Sequence, residues 1–396
     1  MKQILIVAND LEIGGAEKAL LGLLETIDTS KVSVDLFLLK HTGQWLNYVP
    51  KEINLLPEIK QYASLAVPVQ VALKNKCIGV LFGRVLGKFI ARRYIKQNGI
   101  SGMNSVGIQY SFKYTKCFLP RISEKEYDLV IGFSTPYYIP VEKVKGKWKV
   151  AWLHTDYSVI DGDRKEEAAN WNTYDELVAV SDDVKNQFIK IFPTLADKTI
   201  VMENILPISL IKKQADEHQD LPYSSEDLNL LSVGRFSYAK NFDNIPKICK
   251  RIKEEVKNVR WYIIGYGPDE ALIRQKIEEY GMQDTVIILG KKENPYPYIQ
   301  ACDLYVQPSR YEGKAVTVKE AQMLGKPVVI TEYATSGSQL TDGVDGIIVP
   351  MDNERCAKGI IRVIRDKELR ESLVKNCLSS DFSNSSEIEK IYELLQ

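Results

Sequence analysis

The sequence predicts an α/β protein made of two doubly wound, Rossmann-like domains that face a cleft. Short runs rich in β-branched residues alternate with amphipathic helical stretches, which is the pattern of parallel strands joined by crossover helices. The runs form two series, separated by a polar stretch at 208–227 that has no strand pattern and is interpreted as an interdomain connection. A chain of 396 residues is long enough for two or three domains that each bury a core.

The first series predicts a domain at 1–207, and the second predicts a domain at 208–380. Strands of the first domain are predicted at 3–8, 32–39, 127–133, 148–153, 176–180 and near 202–206. Strands of the second are predicted at 228–235, 259–265, 285–290, 303–308, 326–331 and 345–350. Residues 381–396 are predicted to form a helix that packs back on a domain face, with Ser385 or Ser386 as its N-cap.

The composition and charge of the chain argue against several classes of function. The formal charge is zero, from 52 basic and 52 acidic residues, which argues against a nucleic-acid partner. Six cysteines without CxxC spacing and three unclustered histidines (His41, His154, His218) indicate reduced thiols, no metal site and no cofactor. There is no run of 18 apolar residues, and the start turns polar at Asn9, too early for a signal peptide. We therefore expect a cytoplasmic protein.

Two glutamates give the most specific clue to the ligand. Glu312 stands at the mouth of a helix that is predicted to start near Ala315, and Glu320 lies more than a turn further in. The free N–H groups and positive dipole end of such a helix can hold a phosphate beside Glu312. The two oxygens of Glu320 can accept the vicinal hydroxyls of a ribose. The implied ligand is a nucleotide diphosphate sugar; the alternative, two solvated helix charges, is weakened only by the surrounding motifs.

Loops that follow strands carry further candidate residues, because doubly wound sheets bind ligands outside the carboxyl ends of their strands. Gly14 and Gly15 follow the first strand and allow close approach of an anion to a helix start. Arg235 and Lys240 follow the first strand of the second series and can converge on a diphosphate. Each signal alone is weak, since glycine pairs often form plain turns and surface cations are usually solvated.

A second glycine cluster follows the next strand of that series. Gly265 and Gly267 are predicted to open a helix that starts at Pro268. Neither glycine cluster spells GxGxxG, which disfavours a nicotinamide-dependent oxidoreductase.

Taken in this order, the motifs resemble the retaining glycosyltransferases of the GT-B fold, in the family-four group, many of which build bacterial cell-surface polysaccharide. The resemblance runs over nearly the whole chain and is strongest at 228–350. The motifs that carry it are GGAE (14–17), WLHTD (152–156), VAVS (178–181), MEN (202–204), VGRF (233–236), KNFD (240–243), GYGP (265–268) and the Glu312 and Glu320 pair followed by GKPVV (325–329).

The resemblance implies transfer of a sugar from a nucleotide diphosphate sugar, with UDP-sugars favoured, to an acceptor hydroxyl with retention of anomeric configuration. It also implies that the domain at 208–380 binds the nucleotide sugar and that the domain at 1–207 lies on the acceptor side. The acceptor would be a lipid-linked or growing cell-surface glycan. A catalytically inactive nucleotide-sugar-binding subunit is the alternative from another class. The intact set of Glu312, Glu320, Arg235 and Lys240 argues against it.

The resemblance also assigns roles to residues. Arg235 and Lys240 match the residues that hold the phosphates, and Glu320 matches the ribose ligand. His154 lies near the transferred sugar and is expected to hydrogen-bond it. Glu312 holds the donor sugar together with the amides that follow it, those of Gly313, Lys314, Ala315 and Val316.

Two features depart from this pattern. The family commonly has Gly-Phe-Gly or Gly-Phe-Pro where this chain has Gly313-Lys314-Ala315, so Lys314 either touches a phosphate or acidic substrate group or is solvated. Asp161 and Asp163 resemble the Asp-x-Asp metal clasp of the other major glycosyltransferase fold, but they lie in a polar loop rather than directly after a strand.

The charge is segregated along the chain. From Lys60 to Arg121 there are eleven basic residues and no acidic one, which leaves 41 basic against 52 acidic residues elsewhere. Within this segment a basic stripe, spaced by four residues, lies beside Phe82, Leu86, Ile90 and Tyr94. It consists of Arg84, Lys88, Arg92 and Lys96. The stripe predicts a face that lies on an anionic membrane, on the inner side of the cell membrane; the alternative is a solvated or partly buried helix.

Overall fold

The computed structural model describes residues 1–65, 67–100, 104–134, 138–154, 157, 161–312 and 315–396. The chain divides into two compact units, one of residues 1–207 with 384–396 and the other of residues 208–383. The boundaries expected from the sequence follow residues 207 and 380. Every described strand pair in both units is parallel. The architecture is therefore two α/β units with parallel sheets.

The first unit contains a seven-stranded sheet with the order β3-β2-β1-β4-β5-β6-β7. The third strand in this order is completely buried from Ile4 to Ala8, as expected for a parallel sheet that is covered on both faces. The strands are β1 (Lys2–Ala8), β2 (Val32–Leu38), β3 (Asn54–Leu55), β4 (Glu126–Gly132), β5 (Lys145–Leu153), β6 (Glu176–Ala179) and β7 (Thr199–Val201).

The helices of the first unit connect these strands. They are α1 (Gly15–Thr26), α2 (Lys60–Ala63), α3 (Val69–Lys74), α4 (Ile78–Asn98), α5 (Val106–Thr115), α6 (Tyr138–Glu142), α7 (Arg164–Trp171) and α8 (Asp182–Ile191). Short 3₁₀ turns cover Leu46–Tyr48, Lys116–Phe118 and Pro193–Lys198. In the described part of the chain, no helix combines the length and the apolar character that a membrane span requires.

The second unit contains a six-stranded sheet with the order β10-β9-β8-β11-β12-β13. The strands are β8 (Leu228–Val233), β9 (Val259–Ile264), β10 (Val286–Gly290), β11 (Leu304–Gln307), β12 (Val328–Thr331) and β13 (Ile347–Val349). The helices of this unit are α9 (Ile208–Ala215), α10 (Ile245–Glu255), α11 (Glu270–Glu279), α12 (Tyr296–Ala301), α13 (Val316–Met323), α14 (Ser336–Gln339), α15 (Asn353–Arg365) and α16 (Lys367–Ser379).

Several sequence expectations need correction. The last strand of the first unit is β7 rather than residues 202–206, and β3 is too short to leave a pattern in the sequence. The stretch interpreted as a connection begins with helix α9, which packs against α12 through a buried face that includes Leu210 and Ile211. Helix α9 has only eight residues, and the rest of the stretch is polar. The short apolar pattern of the helix was therefore not recognised in the sequence.

The C-terminal segment packs on the first unit. A 3₁₀ turn (Ser385–Glu387) leads into α17 (Ile388–Glu393), and Asn384, in the left-handed region at φ 64°, precedes that turn where a serine cap was expected. Ile391 is fully buried. The Tyr392 hydroxyl accepts a hydrogen bond from the Asp28 amide at 2.9 Å, which joins α17 to the end of α1.

The cysteines are free thiols in the described structure, and five of the six are buried. Burial raises the pKa of Cys249, Cys302, Cys356 and Cys377 to about 12 in each case. These four thiols are therefore packing residues with little thiolate at neutral pH.

Candidate functional site

The strand order of the second unit places a crevice between β8 and β11. The chain runs outward from β8 to β9 and β10 and then returns to form β11 on the other side of β8. Loops that leave the carboxyl ends of β8 and β11 therefore diverge to opposite sides, which is the ligand-binding position of doubly wound sheets. Arg235 and Lys240 lie in the first of these loops, and Glu312 lies in the second.

Lys240 and Glu312 form an ion pair at this point. The Lys240 ammonium is 2.6 Å from Glu312 Oε1, and the two side chains are only 19% and 9% exposed. The Ser309 hydroxyl donates a second hydrogen bond to the same oxygen at 2.6 Å. The carboxylate is thus fixed in place, and a phosphate that approaches Lys240 would share this ammonium with Glu312.

Contacts between the two loops explain why these side chains meet. Asn241 takes the left-handed conformation at φ 61°, which asparagine tolerates, and its side-chain amide donates to the Pro308 carbonyl at 2.8 Å. Arg310 forms a bidentate pair with Asp243 at 2.9 and 2.7 Å. Asn241 and Asp243 belong to the KNFD motif, but no role was predicted for either of them. Arg310 was not predicted, although it lies just past β11, where polar residues reach the crevice.

Arg235 lines a pocket of about 310 Å³ next to this pair. Lys291, Lys292 and Tyr266 contribute to the same pocket, and the Lys291 ammonium lies 5.5 Å from the centre of the Tyr266 ring. Arg235 is exposed and has no hydrogen bond or ion pair within the described ranges. Three cations and an aromatic ring therefore surround a space that an anionic, planar ligand could fill.

Lys291 and Lys292 were missed because the loop after β10 lacks a recognisable motif, although its position after a strand is a usable signal. A larger depression of about 750 Å³ is lined by Lys326 and Arg370, among others. It lies at the amino ends of β11 and β12, the wrong end of the sheet for a ligand site in this architecture.

The glycines after β9 serve backbone packing. Gly265 and Gly267 have φ values of 154° and 155°, which other residues rarely adopt. A Cβ on Gly265 would overlap the Gly234 carbonyl oxygen, and one on Gly267 would overlap that of Phe236. These glycines let the loop after β9 pack on the loop after β8, and Gly265 itself lines the Arg235 pocket.

Helix α11 starts at Glu270, two residues later than predicted. The Asp269 amide donates to the Phe236 carbonyl at 3.3 Å, so the turn that contains Pro268 is bound to the neighbouring loop before the helix begins. Proline at a first helical position was a reasonable expectation, but this tertiary contact moves the start.

Glu320 is buried, with 2% exposure, on helix α13. The Tyr296 hydroxyl donates to its Oε1 at 2.9 Å. Burial, and then the charge of Glu320, raise the pKa of this phenol well above its usual value. Pro295, which directly precedes Tyr296, lines the Arg235 pocket. A ribose at Glu320 would share the carboxylate with the phenol.

The N-terminus of α13 differs from the expectation of free amides. The Ala315 amide, at the N-cap, donates to Gln339 Oε1 at 2.8 Å, so it is already occupied. Val316 is the first helical residue, and the Val318 amide of the first turn donates to the Ala315 carbonyl at 3.0 Å. Gly313 and Lys314 lie outside the described residues.

Tyr333 is a candidate that the sequence analysis missed. It follows β12 at the carboxyl end of the sheet and is 2% exposed. Its hydroxyl is buried without a hydrogen-bond partner among the described residues, and burial together with the Glu312 charge raises its pKa. The Thr335 hydroxyl donates to the Glu312 carbonyl at 2.8 Å, so this loop packs directly on the Glu312 segment.

In the first unit, Gly14 and Gly15 mark the start of α1. Gly14 is the N-cap, and a Cβ there would overlap the carboxylate of Glu17, which folds back over it. Burial raises the pKa of Glu17. A carboxylate therefore already occupies the helix start where an anion was expected, and any anionic ligand would have to displace or protonate it.

His154 directly follows β5, as predicted. Its ring centre is 4.7 Å from that of Phe133, and burial lowers its pKa to about 4, against a smaller opposite effect of a backbone hydrogen bond with Phe133. Its Nε2 is buried and has no partner in the described parts of the chain. At neutral pH the imidazole is uncharged, with one nitrogen left for a ligand.

Asp161 and Asp163 have structural roles. Asp163 caps α7, accepting the Glu166 amide at 3.1 Å and the Tyr110 hydroxyl at 2.7 Å. The Asp161 carbonyl accepts the Ser105 amide at 2.8 Å. Among the residues that the structure describes, no group of three potential metal ligands is present.

The basic stripe predicted on α4 is incomplete. Lys88, Arg92 and Lys96 are exposed, but Arg84 turns inward and donates to the Ser64 carbonyl at 3.0 Å. Burial lowers the pKa of Arg84. The spacing by four residues was correct for a helix, yet tertiary contact recruits its first member to the protein interior.

Comparison with known proteins identifies the second unit. The family model for glycosyl transferases group 1 matches residues 213–378, a range that contains Arg235, Lys240, Glu312 and Glu320. Residues 213–378 are thus similar to the glycosyl transferases of group 1.

Curated proteins that are similar to this chain include two bacterial enzymes. One is the N-acetylgalactosamine-N,N'-diacetylbacillosaminyl-diphospho-undecaprenol 4-alpha-N-acetylgalactosaminyltransferase of Campylobacter jejuni, 28% identical over 177 residues, which are 44% of this chain and 47% of that protein. The other is the poly(glycerol-phosphate) alpha-glucosyltransferase of Bacillus subtilis, 26% identical over 169 residues, which are 42% of this chain and 25% of that protein. The chain thus matches half or less of the length of each.

Solved structures extend the likeness beyond residues 213–378. HepE of Anabaena in complex with UDP has a TM-score of 0.58 at 17% identity, covering 100% of this chain and 99% of that one. A TarM variant of S. aureus in complex with fondaparinux, alpha-GlcNAc-glycerol and UDP has a TM-score of 0.60 at 14% identity, with both chains covered completely. The chain has the GT-B fold.

Proposed function

We propose that this protein transfers a sugar from a nucleotide diphosphate sugar, preferably a UDP-sugar, to an acceptor hydroxyl. The observation that carries the proposal is the Lys240 and Glu312 ion pair, which lies at the switch point of the second sheet beside the cationic Arg235 pocket. Support comes from the family model that matches residues 213–378 and from structural neighbours that were solved with UDP or UDP-glucose.

Different residues of the site would bind different parts of the donor, according to their charge. Arg235 and Lys240 would hold the diphosphate, together with the first turn of α13, because fixed cations and helix-end amides are suited to phosphate oxygens. Glu320 would accept ribose hydroxyls. The Arg235 pocket, with the Tyr266 ring, would hold the base.

Glu312 would orient the donor sugar, and its fixed position suits that task. The Tyr333 hydroxyl, buried near Glu312 and without a partner in the described structure, is an additional candidate for a sugar hydroxyl. From the first unit, neutral His154 would hydrogen-bond the transferred sugar through Nε2.

Retention is part of the proposal. The leaving diphosphate would take the proton of the incoming hydroxyl on the same face of the sugar, while Arg235 and Lys240 stabilise the charge that grows on it. Removing one such cation should raise the barrier by about 2–4 kcal/mol.

The acceptor would be a lipid-linked or growing cell-surface glycan. The relatives named for a diphospho-undecaprenol acceptor and for poly(glycerol-phosphate) support this class. A thiol or amine acceptor has no comparable support.

A thermal-shift and turnover screen tests the proposal. We expect UDP, UDP-glucose and UDP-N-acetylglucosamine to raise the melting temperature, since a ligand at about 100 times its dissociation constant adds about 2.7 kcal/mol. Lys240→Met should slow UDP release by roughly 30- to 1,000-fold, the equivalent of that barrier increase, while the exposed Lys358→Met should not slow it. Binding without UDP release on any acceptor would favour an inactive binding subunit. Stabilisation by NADH and not by nucleotide sugars would contradict the proposal.

A further inference from the structure

Helix α4 of the first unit presents large apolar side chains to the outside. Ile78, Phe82, Val85 and Phe89 are 71%, 62%, 63% and 68% exposed. They stand at positions i, i+4, i+7 and i+11, which fall on one stripe of an α-helix. We call these four residues the apolar ridge. Single exposed apolar residues are ordinary, but four in one row form a contiguous patch that marks an interaction surface.

The opposite face of α4 explains why these large apolar side chains are exposed. Gly83, Gly87 and Ala91 are buried there. A Cβ on Gly83 would overlap the Tyr114 carbonyl of α5, and a Cβ on Gly87 would overlap the Tyr110 carbonyl. The two helices approach each other closely through small residues, so the large apolar side chains of α4 are left outside.

A typical surface helix of the same protein shows the reverse pattern. Helix α15 buries Ile360, Ile361 and Val363 and directs its charged residues outward. An exposed row of phenylalanine and isoleucine is unfavourable in water. The apolar ridge of α4 is therefore not an ordinary packing face, because such a face is buried against the protein.

Basic residues extend the ridge toward the end of α4. Arg92, Arg93 and Lys96 are exposed and fall on the same stripe, and exposed Lys88 flanks it. No acidic residue occurs anywhere between Lys60 and Arg121. One helix face therefore passes from an apolar half to a cationic half.

Neighbouring side chains widen this surface. The Phe82 ring meets that of Phe118 edge to face, with centres 6.4 Å apart, and Phe118 is 40% exposed. On α3, which contacts α4, Val69 and Leu73 are 48% and 55% exposed.

We propose that α4 docks this protein on an anionic lipid surface. The apolar ridge would enter the boundary between headgroups and acyl chains, while Lys88, Arg92, Arg93 and Lys96 would contact the anionic headgroups. Docking by the apolar ridge is independent of the proposed transferase activity. It also differs from a purely electrostatic stripe, because the ridge supplies the anchor and Arg84, which turns inward, has no part in it.

The charge of the α4 segment favours an anionic lipid surface over a second copy of the chain as the binding partner. A symmetric dimer through α4 would bring two segments together that each carry eleven basic and no acidic residues. Like charges would oppose that contact, whereas an anionic bilayer satisfies both halves of the helix face.

Co-sedimentation of the full chain with lipid vesicles tests the proposal. We expect binding to phosphatidylcholine vesicles that contain phosphatidylglycerol, and much weaker binding to pure phosphatidylcholine. The variant Phe82→Ser/Phe89→Ser should lower the partition coefficient by on the order of tenfold or more, through the lost apolar burial. The variant Arg92→Gln/Lys96→Gln should lower it by about fivefold per charge at low salt.

Matched variants in the second unit control for composition. Leu272→Ser/Val344→Ser removes exposed apolar side chains elsewhere, and Lys358→Gln/Lys367→Gln removes exposed charges elsewhere. Neither should change vesicle binding by more than about twofold, and circular dichroism should show native helix content in every variant. Failure of the wild type to bind anionic vesicles would overturn the proposal. So would unchanged binding of a folded Phe82→Ser/Phe89→Ser variant, or a wild-type dimer in light scattering that this variant converts to a monomer.

Discussion

Lys240 Nζ lies 2.6 Å from Glu312 Oε1, across the gap between the loops after β8 and β11. The pair joins residues that are 72 positions apart in the chain. Because the strand order reverses at this point, the contact marks the place where the donor would bind, and it couples the cation for the diphosphate to the carboxylate for the sugar.

We expect this ion pair to be energetically coupled. Lys240→Met alone leaves a largely buried carboxylate without its cation and should cost about 2–3 kcal/mol of unfolding free energy. The double variant Lys240→Met/Glu312→Gln should lose less than the sum of the single variants. Urea unfolding measures this cycle. The exposed pair Glu270 and Arg274 gives the matched control, with much smaller coupling; strict additivity at Lys240 and Glu312 would contradict the prediction.

Glu320 and Glu312 should have separable roles. Glu320→Ala removes the proposed ribose ligand and should weaken UDP binding by roughly tenfold or more. Glu312→Ala should leave UDP affinity nearly unchanged and mainly lower turnover of the UDP-sugar. Calorimetric titration of both variants tests this. Tyr296→Phe controls for the loss of the phenol hydrogen bond at Glu320. Equal UDP affinity in the wild type and Glu320→Ala would remove the ribose assignment.

Acid should destabilise the first unit through His154. Its pKa is lowered to about 4 in the folded state, so its contribution to stability is fully present above the ordinary value near 6.5. That contribution is lost as the pH falls toward 4, because the unfolded imidazole binds a proton and the folded one does not.

The measurement is urea unfolding across this pH range. His154→Gln should remove up to about 2–3 kcal/mol of the pH dependence. The exposed His218→Gln should leave the wild-type profile intact. If His154→Gln and the wild type lose stability in parallel between pH 6.5 and about 4, the imidazole is not held neutral by burial.

Sugar transfer should proceed without a divalent ion. Arg235, Lys240 and the first turn of α13 supply positive charge toward a diphosphate, and Asp163, the nearest resemblance to a metal clasp, is engaged in capping α7. EDTA should therefore leave the rate of UDP release within about twofold of the untreated rate. A complete loss that manganese restores would move the proposal toward a metal-assisted reaction at Asp161 and Asp163.

The fold class and the main positions of interest could be predicted from local sequence patterns. Alternating β-branched runs and amphipathic stretches are local patterns, so the strands and the two series could be predicted from them, and the resemblance of the motifs to a known family implied the GT-B fold. The loops after β8 and β11 could also be located, because ligand sites follow strand ends. Arg235, Lys240 and Glu312 lie in these loops and were therefore predicted as site residues.

The contacts that these residues make depend on the tertiary structure. The Lys240 and Glu312 pair, the inward turn of Arg84 and the packing of Gly265 on Gly234 all join segments that are distant in the chain or lie on different elements. The same is true of α4, whose glycines pack on α5 and thereby leave Phe82 and Phe89 outside. Periodicity predicts that a helix has two faces. Which face meets the protein depends on the shape and charge of a neighbour that the local sequence does not contain.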